Sequence, residues 1–203
     1  MGFYNTTVRL TYGNVTVRPL RMRDAKALDE ENMRNRQWLR KWEASLPGGF
    51  VSLIARDNIR SLLSYARSGG GWPFVMEVDG EFAGQINVSG ITWGSMCQAS
   101  IGYWISERFA GRGITPIAVA LVTDYCFSRG LHRIEICIRP ENAASLRVVE
   151  KIGFRYEGRR EKFIHINGDW RDHECFALVA EEIPGGVLTQ LRERQSELNH
   201  DTP

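Results

Sequence analysis

Cysteine and histidine are scarce in this chain of 203 residues. The four cysteines, Cys97, Cys126, Cys137 and Cys175, lie far apart and form no C-x-x-C pair. That spacing argues against a disulfide framework or a zinc cluster and for buried, reduced thiols. The four histidines show no H-x-x-x-H or H-E-x-x-H spacing, which argues against a metal centre. Charge of one sign is not in excess either. Twenty-six basic against 24 acidic residues leave a net charge of +2, which gives no strong electrostatic reason for nucleic-acid binding. No apolar run approaches the roughly 18–20 residues needed to span a bilayer, so no membrane partner is expected. The opening MGFYNTTVRL lacks the basic-then-apolar order of a secretory signal, and the expected compartment is the cytoplasm. Repeats and low-complexity tracts are absent.

What is present is an ordinary globular balance, 43% hydrophobic and 25% charged, in a chain long enough to bury a core. The reading is one domain over residues 1–203, with its core at 14–182 and a helical extension at 183–203.

Residues 15–20 alternate apolar and polar and suit a strand. Residues 22–43 are rich in helix formers, with Asp24 as candidate N-cap, and a second helix fits Ser52 to Arg67. Strands at 74–78 and 82–88 flank Asp79-Gly80, and strands at 155–166 and 169–180 flank Asn167-Gly168. Both dipeptides are two-residue hairpin signals. Residues 98–105 and 132–139 read as further strands, residues 114–128 as a buried helix, and residues 142–152 as a short helix ended by Gly153. A last helix fits 183–199. Hairpins together with strand–helix–strand crossovers imply an α/β (α+β mixed) fold, a mixed sheet covered by helices, and not the regular alternation of a doubly wound domain.

The most informative stretch runs from Ile101 to Ile114. A strand enters a loop holding Gly111 and Gly113, and an apolar helix begins directly after it. Free N–H groups at such a helix start, together with loop amides, can converge on one oxyanion or diphosphate, and Arg112 adds a cation. A tight strand-to-helix turn is the competing reading of a bare G-x-G. Neither a P-loop nor G-x-G-x-x-G is present.

Arg108-Phe109-Ala110-Gly111-Arg112-Gly113 resembles Q/R-x-x-G-x-G/A, the acyl-CoA signature of the GNAT N-acetyltransferases. Leu131-His132-Arg133-Ile134-Glu135, then Pro140-Glu141-Asn142-Ala143-Ala144-Ser145, then Lys151-Ile152-Gly153-Phe154, resemble the branch containing the ribosomal-protein N-terminal-alanine acetyltransferases. The resemblance implies a twisted, mostly antiparallel sheet whose two central parallel strands, here 98–105 and 132–139, splay apart to admit acetyl-CoA. It implies a diphosphate held around Ala110, Gly111, Arg112, Gly113 and Ile114 with Arg108 nearby. It implies a pantetheine arm along the backbone of Tyr103 and Ile105, and Asn142 bonded to that arm. No metal is implied.

Amine acetylation needs a neutral amine, a stabilised oxyanion and a protonated thiolate. An α-amine, with a pKa of about 7.7–8.0, is far more often neutral near pH 7 than a lysine amine at about 10.4. For the acid, many relatives carry a tyrosine at the position of Val149, so Ser145 is carried over as the hydroxyl near the departing sulfur, with Tyr103 as a further contributor. For the base, the nearest match is Lys162 with Glu161 beside it. Strand alternation puts their side chains on opposite faces, so one of the two would face the cleft. Glu77 and Glu135 read as solvated or paired charges. Trp42 and Glu43 are expected to line the acceptor entrance. Arg171-Asp172-His173 reads as structural, because no nucleophile lies near His173 in the motif.

The expected reaction is transfer from acetyl-CoA to the N-terminal amine of a protein, a ribosomal protein in this branch. A small amine as acceptor, or a non-catalytic acyl-CoA sensor, are the alternatives. A homodimer is conceivable on the hairpin edges and the terminal helix.

Overall fold

A computed structural model describes residues 4–48 and 54–200 of the chain. Strands β1 (Leu10–Tyr12) and β2 (Val15–Pro19) precede helices α1 (Ala25–Arg34), α2 (Arg36–Leu39) and α3 (Ala55–Arg67). Strands β3 (Gly71–Val78), β4 (Glu81–Thr92) and β5 (Gln98–Ile105) follow, then helix α4 (Ile114–Ser128), strand β6 (Arg133–Ile138) and helix α5 (Ala143–Ile152). Strands β7 (Arg155–Ile166) and β8 (Asp169–Val179) and helix α6 (Val187–His200) complete the order.

The strands form one sheet in the order β1-β2-β3-β4-β5-β6-β8-β7. Every neighbouring pair is antiparallel except β5 beside β6. Both hairpin dipeptides turn as expected, with positive φ at Asp79, Gly80, Asn167 and Gly168. Strand β3 is buried along its whole length because helices cover both faces of the sheet. On one face, Trp72, Phe74 and Met76 meet α4, whose residues Ala118 to Val122 are all buried. On the other, Val75 packs with Leu28 of α1 and Ile59 of α3.

Helix α6 is anchored through its start. Both carboxylate oxygens of Asp124, on α4, accept from the amides of Val187 and Leu188, at 2.6 and 3.1 Å. A carboxylate there satisfies two orphan donors and complements the helix dipole. Gly153 ends α5 at φ 83°.

The structure departs from the sequence reading in several places. Strand β1 has no counterpart in the sequence reading. The helix expected over 22–43 is one 3-10 turn followed by two helices divided at Asn35. Asp24 caps nothing with its side chain on α1; its carboxylate takes the Arg18 guanidinium in two bonds of 2.8 Å and the Arg21 amide at 2.7 Å. The second helix begins at Ala55, and Ser52 and Leu53 lie outside the described residues.

The feature that positions the site is a failure of pairing. Strands β5 and β6 are in register only at Gln98 with Arg133, Ala99 with Ile134 and Ser100 with Glu135. Beyond Ser100, β5 pairs only with β4 and β6 only with β8. The sheet therefore opens as a wedge at the carboxyl ends of its two parallel strands.

Candidate active site

The wedge exposes one edge of β5, and hydrogen-bond parity shows which atoms lie on it. Ser106 N–H donates to the Ala83 carbonyl at 2.8 Å, and the Trp104 carbonyl crowds Gly84 on β4. Alternate residues of a strand bond to opposite sides. The main-chain groups of Tyr103 and Ile105 therefore point away from β4, towards the open edge. One of them is already engaged, because Trp38 Nε1 donates to the Ile105 carbonyl at 3.1 Å.

At the end of β5 the chain makes one turn of 3-10 helix (Glu107–Phe109) and enters the glycine loop. Gly111 and Gly113 both adopt φ 75°, a conformation an L side chain resists. Gly113 is the N-cap of α4. Among the described residues, the backbone N–H groups of Gly111, Arg112 and Gly113 have no acceptor. The first amides of α4 add further orphan donors. The loop thus presents a short row of donors at the positive end of a helix dipole, the arrangement that binds a phosphate.

Two cavities meet at this wedge. The first, of 420 Å³, runs from the glycine loop (Ala110, Gly111, Gly113, Ile114) along Tyr103 and Ile105 to Asn142 and Ser145, with Arg147 and Lys151 of α5 on its wall. The second, of 340 Å³, is bounded by Trp42, Glu43, Asn87, Gly102, Arg139 and His173. Tyr103, Trp104, Trp42, Asn142 and Ser145 belong to both. At the junction the Tyr103 hydroxyl and Ser145 Oγ lie 2.7 Å apart. Burial pushes the Tyr103 phenol well above its ordinary range, so it is a proton carrier and not a phenolate. Ser145 is held in place because Asn142 Oδ1 caps α5 through the Ser145 amide at 3.1 Å.

Several side chains singled out in the sequence sit elsewhere. Arg108 lines neither cavity; it is held by Glu81 at 2.6 Å and Glu31 at 3.1 Å and stacks on Phe109. Arg112 is over the same ring, also outside both cavities. Glu161 and Lys162 are both exposed and outside the wedge, and alternation fails there because β7 bulges between Arg160 and Ile164. Glu43 lines the second cavity while paired with Arg36 at 3.0 Å. Trp42 lies between Lys41 and Arg139, each within cation–π reach. Glu77 and Glu135 are paired, to Arg18 and Arg160 respectively.

Other wall residues were not legible in the sequence. Asn87 lines the second cavity, and its Oδ1 is buried with no partner among the described residues. His173 is 3% exposed, lines that cavity, and is held through Nδ1 by the Arg171 carbonyl at 3.0 Å. Asn35 is also absent from the sequence reading. Its Nδ2 donates to Ser106 Oγ at 3.0 Å and its Oδ1 accepts from the Glu107 amide at 2.8 Å, tying α1 to the end of β5. Among the described residues there is no cluster of three or more metal-ligating side chains, and no helix is long and apolar enough to cross a membrane.

Comparison with known proteins agrees with this geometry. The family model described as acetyltransferase (GNAT) domain matches residues 14–155. The chain is 41% identical over 102 residues to the probable N-acetyltransferase YjcK of Bacillus subtilis; the match covers 50% of this chain and 56% of that relative, so here the chain spans about half of the relative's length. It is 28% identical over 181 residues to the ribosomal protein uS5-alanine N-acetyltransferase of Escherichia coli, covering 85% and 91% of the two chains. The solved structure of Mycobacterium smegmatis RimJ in complex with CoA-disulfide superposes with a TM-score of 0.87 at 35% identity, over 96% of each chain. A sheet splayed between its parallel strands, an unsatisfied glycine loop at the mouth and a family match across most of the fold lead to one conclusion: the chain belongs to the GNAT family of acetyl-CoA-dependent N-acetyltransferases.

Proposed function

We propose that this chain transfers the acetyl group of acetyl-CoA to the N-terminal α-amine of a protein, a ribosomal protein by its likeness to the uS5-alanine and RimJ enzymes. The observation that carries this reading is the meeting of the two cavities at Tyr103 and Ser145, one leading to unsatisfied loop amides and the other to a second opening. The donor and the acceptor can then approach one carbon from opposite sides.

The diphosphate is taken by the amides of Gly111 to Ile114, and the pantetheine arm adds to the open edge of β5 as a further strand would. Main-chain N–H groups of that edge polarise the thioester oxygen. Attack by the neutral amine is direct, without an acyl-enzyme. When the C–S bond breaks, the thiolate takes a proton from Ser145, which Tyr103 replenishes across their 2.7 Å contact. Trp42 and Glu43 border the acceptor entrance, where the carboxylate attracts an incoming ammonium. Arg108, held by two glutamates, is outside this binding scheme. The domain core is residues 14–182, and the cytoplasm is the place of action.

The test is thiol release from acetyl-CoA with competing acceptors. A peptide with N-terminal alanine is expected to outcompete spermidine, free amino acids and a peptide whose only amine is a lysine side chain. Preference for the small amines would make this a small-molecule acetyltransferase. CoA binding without release across the whole panel would make it a sensor.

A further inference from the structure

The proposed reaction leaves one proton without a destination. Once the amine nitrogen has bonded to the thioester carbon, it is cationic and must shed a proton. The carboxylate nearest in sequence terms, Glu161, is on the exposed side of β7. Glu43 is half exposed and already paired with Arg36.

We propose that His173 is the general base of this reaction, accepting the amine proton at Nε2. This rests on the acetyl-transfer reading above. The geometry is specific. Nδ1 faces the Arg171 carbonyl at 3.0 Å, and a carbonyl only accepts, so Nδ1 carries the hydrogen. In the neutral ring Nε2 is then the lone-pair nitrogen. The imidazole lines the 340 Å³ cavity that also holds Tyr103 and Ser145. Phe163 braces the ring edge-on at 5.9 Å.

The charges around the ring keep it neutral. Burial is the largest influence and pushes the His173 pKa below its ordinary value, and the Arg139 guanidinium acts in the same direction. The bond to the Arg171 carbonyl and the carboxylates of Asp172 and Glu141 oppose them without reversing the result. Cys137 of β6, Glu43, Tyr103 and Ser145 are the other ionisable or hydroxyl groups on the cavity wall. A base that is neutral around pH 7 is ready to receive a proton.

The step balances. The neutral amine forms the C–N bond, the cationic nitrogen gives a proton to Nε2, the C–S bond breaks, and the thiolate takes a proton from the Ser145–Tyr103 pair. His173 then returns its proton to solvent, the Ser145–Tyr103 pair regains one from solvent, and the net products are the amide and free CoA.

The informative substitution is His173→Asn, because the asparagine amide N–H replaces Nδ1–H towards Arg171 while nothing replaces Nε2. With an N-terminal alanine peptide, kcat/KM is expected to fall by about 100-fold or more, with CoA affinity by calorimetry unchanged. The wild-type profile of kcat/KM against pH should carry a limb below the ordinary histidine range in addition to that of the amine, and His173→Asn should lose the lower limb only. Independently of turnover, the His173 imidazole resonance of the CoA-bound protein should move when the acceptor peptide is added. His173→Gln provides the same rate and profile test if His173→Asn does not fold. Wild-type rates and an unchanged profile in a folded variant overturn the base while leaving the acetyltransferase reading intact, as does an unmoved resonance. A wild-type protein that binds CoA and acetylates no amine overturns both.

Discussion

The two cavities that share Tyr103 and Ser145 are built in opposite ways. The donor side is mostly two continuous runs of chain, the end of β5 through the glycine loop into α4, and the start of α5. Its unsatisfied donors are main-chain amides whose direction is set by two glycines and a helix start. The acceptor side is gathered from α2 and the turn after it, β4, β5, β6, the start of α5, β7 and β8, and its polar groups are side chains. A site made of backbone is specified by local sequence and serves one invariant ligand. A site made of side chains from distant strands exists only once the sheet has formed, and each contributor can vary separately. That contrast is suited to an enzyme with one donor and a selected acceptor.

The largest expected effect lies at the shared boundary. Tyr103→Phe and Ser145→Ala should each lower kcat by about 100-fold, the range of general acid catalysis, with CoA affinity little changed. If the two hydroxyls relay one proton, the double variant should be no slower than the slower single variant. Fully multiplicative losses in single-turnover rates would mean independent roles.

A crossed pair of glycine variants tests the separation itself. Gly113→Val forces a branched side chain into φ 75°, at a cost of roughly 1–2 kcal/mol, and disturbs the donor row. CoA affinity should fall about 10-fold or more, with acceptor KM affected only through loss of the donor. Gly102 has ordinary backbone angles, and a Cβ added there would meet nothing within 4 Å. Because Gly102 lines only the acceptor cavity, Gly102→Leu fills that space without strain. Acceptor KM should rise about 10-fold while CoA affinity holds, an energy of roughly 1.4 kcal/mol. Equal losses of both affinities in either variant would show that the cavities are one site.

The same contrast explains what the sequence made legible. The hairpins at Asp79-Gly80 and Asn167-Gly168, the span of α4 and the Gly153 stop all follow from residues adjacent to one another. So did the glycine loop. Asn35 was invisible because its reason for being there is Ser106, 71 positions away. Arg108 was carried to the neighbourhood of the cofactor by the resemblance, because Glu31 and Glu81, which hold it, are remote in sequence. Glu161 was carried over beside Lys162, and strand alternation was expected to turn one of the two to the cleft, which a bulge cancels. His173 was set aside for want of a neighbouring nucleophile in the motif. Tyr103 and Ser145, which line the same cavity as His173, come from strand β5 and helix α5.

The smallest expected effect is also the one that joins the two sides. Asn35 ends α1 and begins the segment that carries Leu39, Trp42 and Glu43 to the acceptor entrance. Its side chain grips Ser106 and Glu107, where β5 hands over to the donor loop. Asn35 is 2% exposed, and Ser106 Oγ also bonds Glu31 at 2.7 Å, so water has little access to replace what is lost. Asn35→Ala therefore strands the Glu107 amide and removes one partner of Ser106, a loss of about 1–3 kcal/mol for unsatisfied buried groups. For a domain of this size that is a fall in Tm of roughly 2–4 °C per kcal/mol. No catalytic group is touched, so kcat should hold. CoA affinity and acceptor KM should each weaken by only a few-fold, and together, because one anchor serves both. A change in one constant without the other would assign Asn35 to a single side and show that the two halves of the wedge are positioned independently.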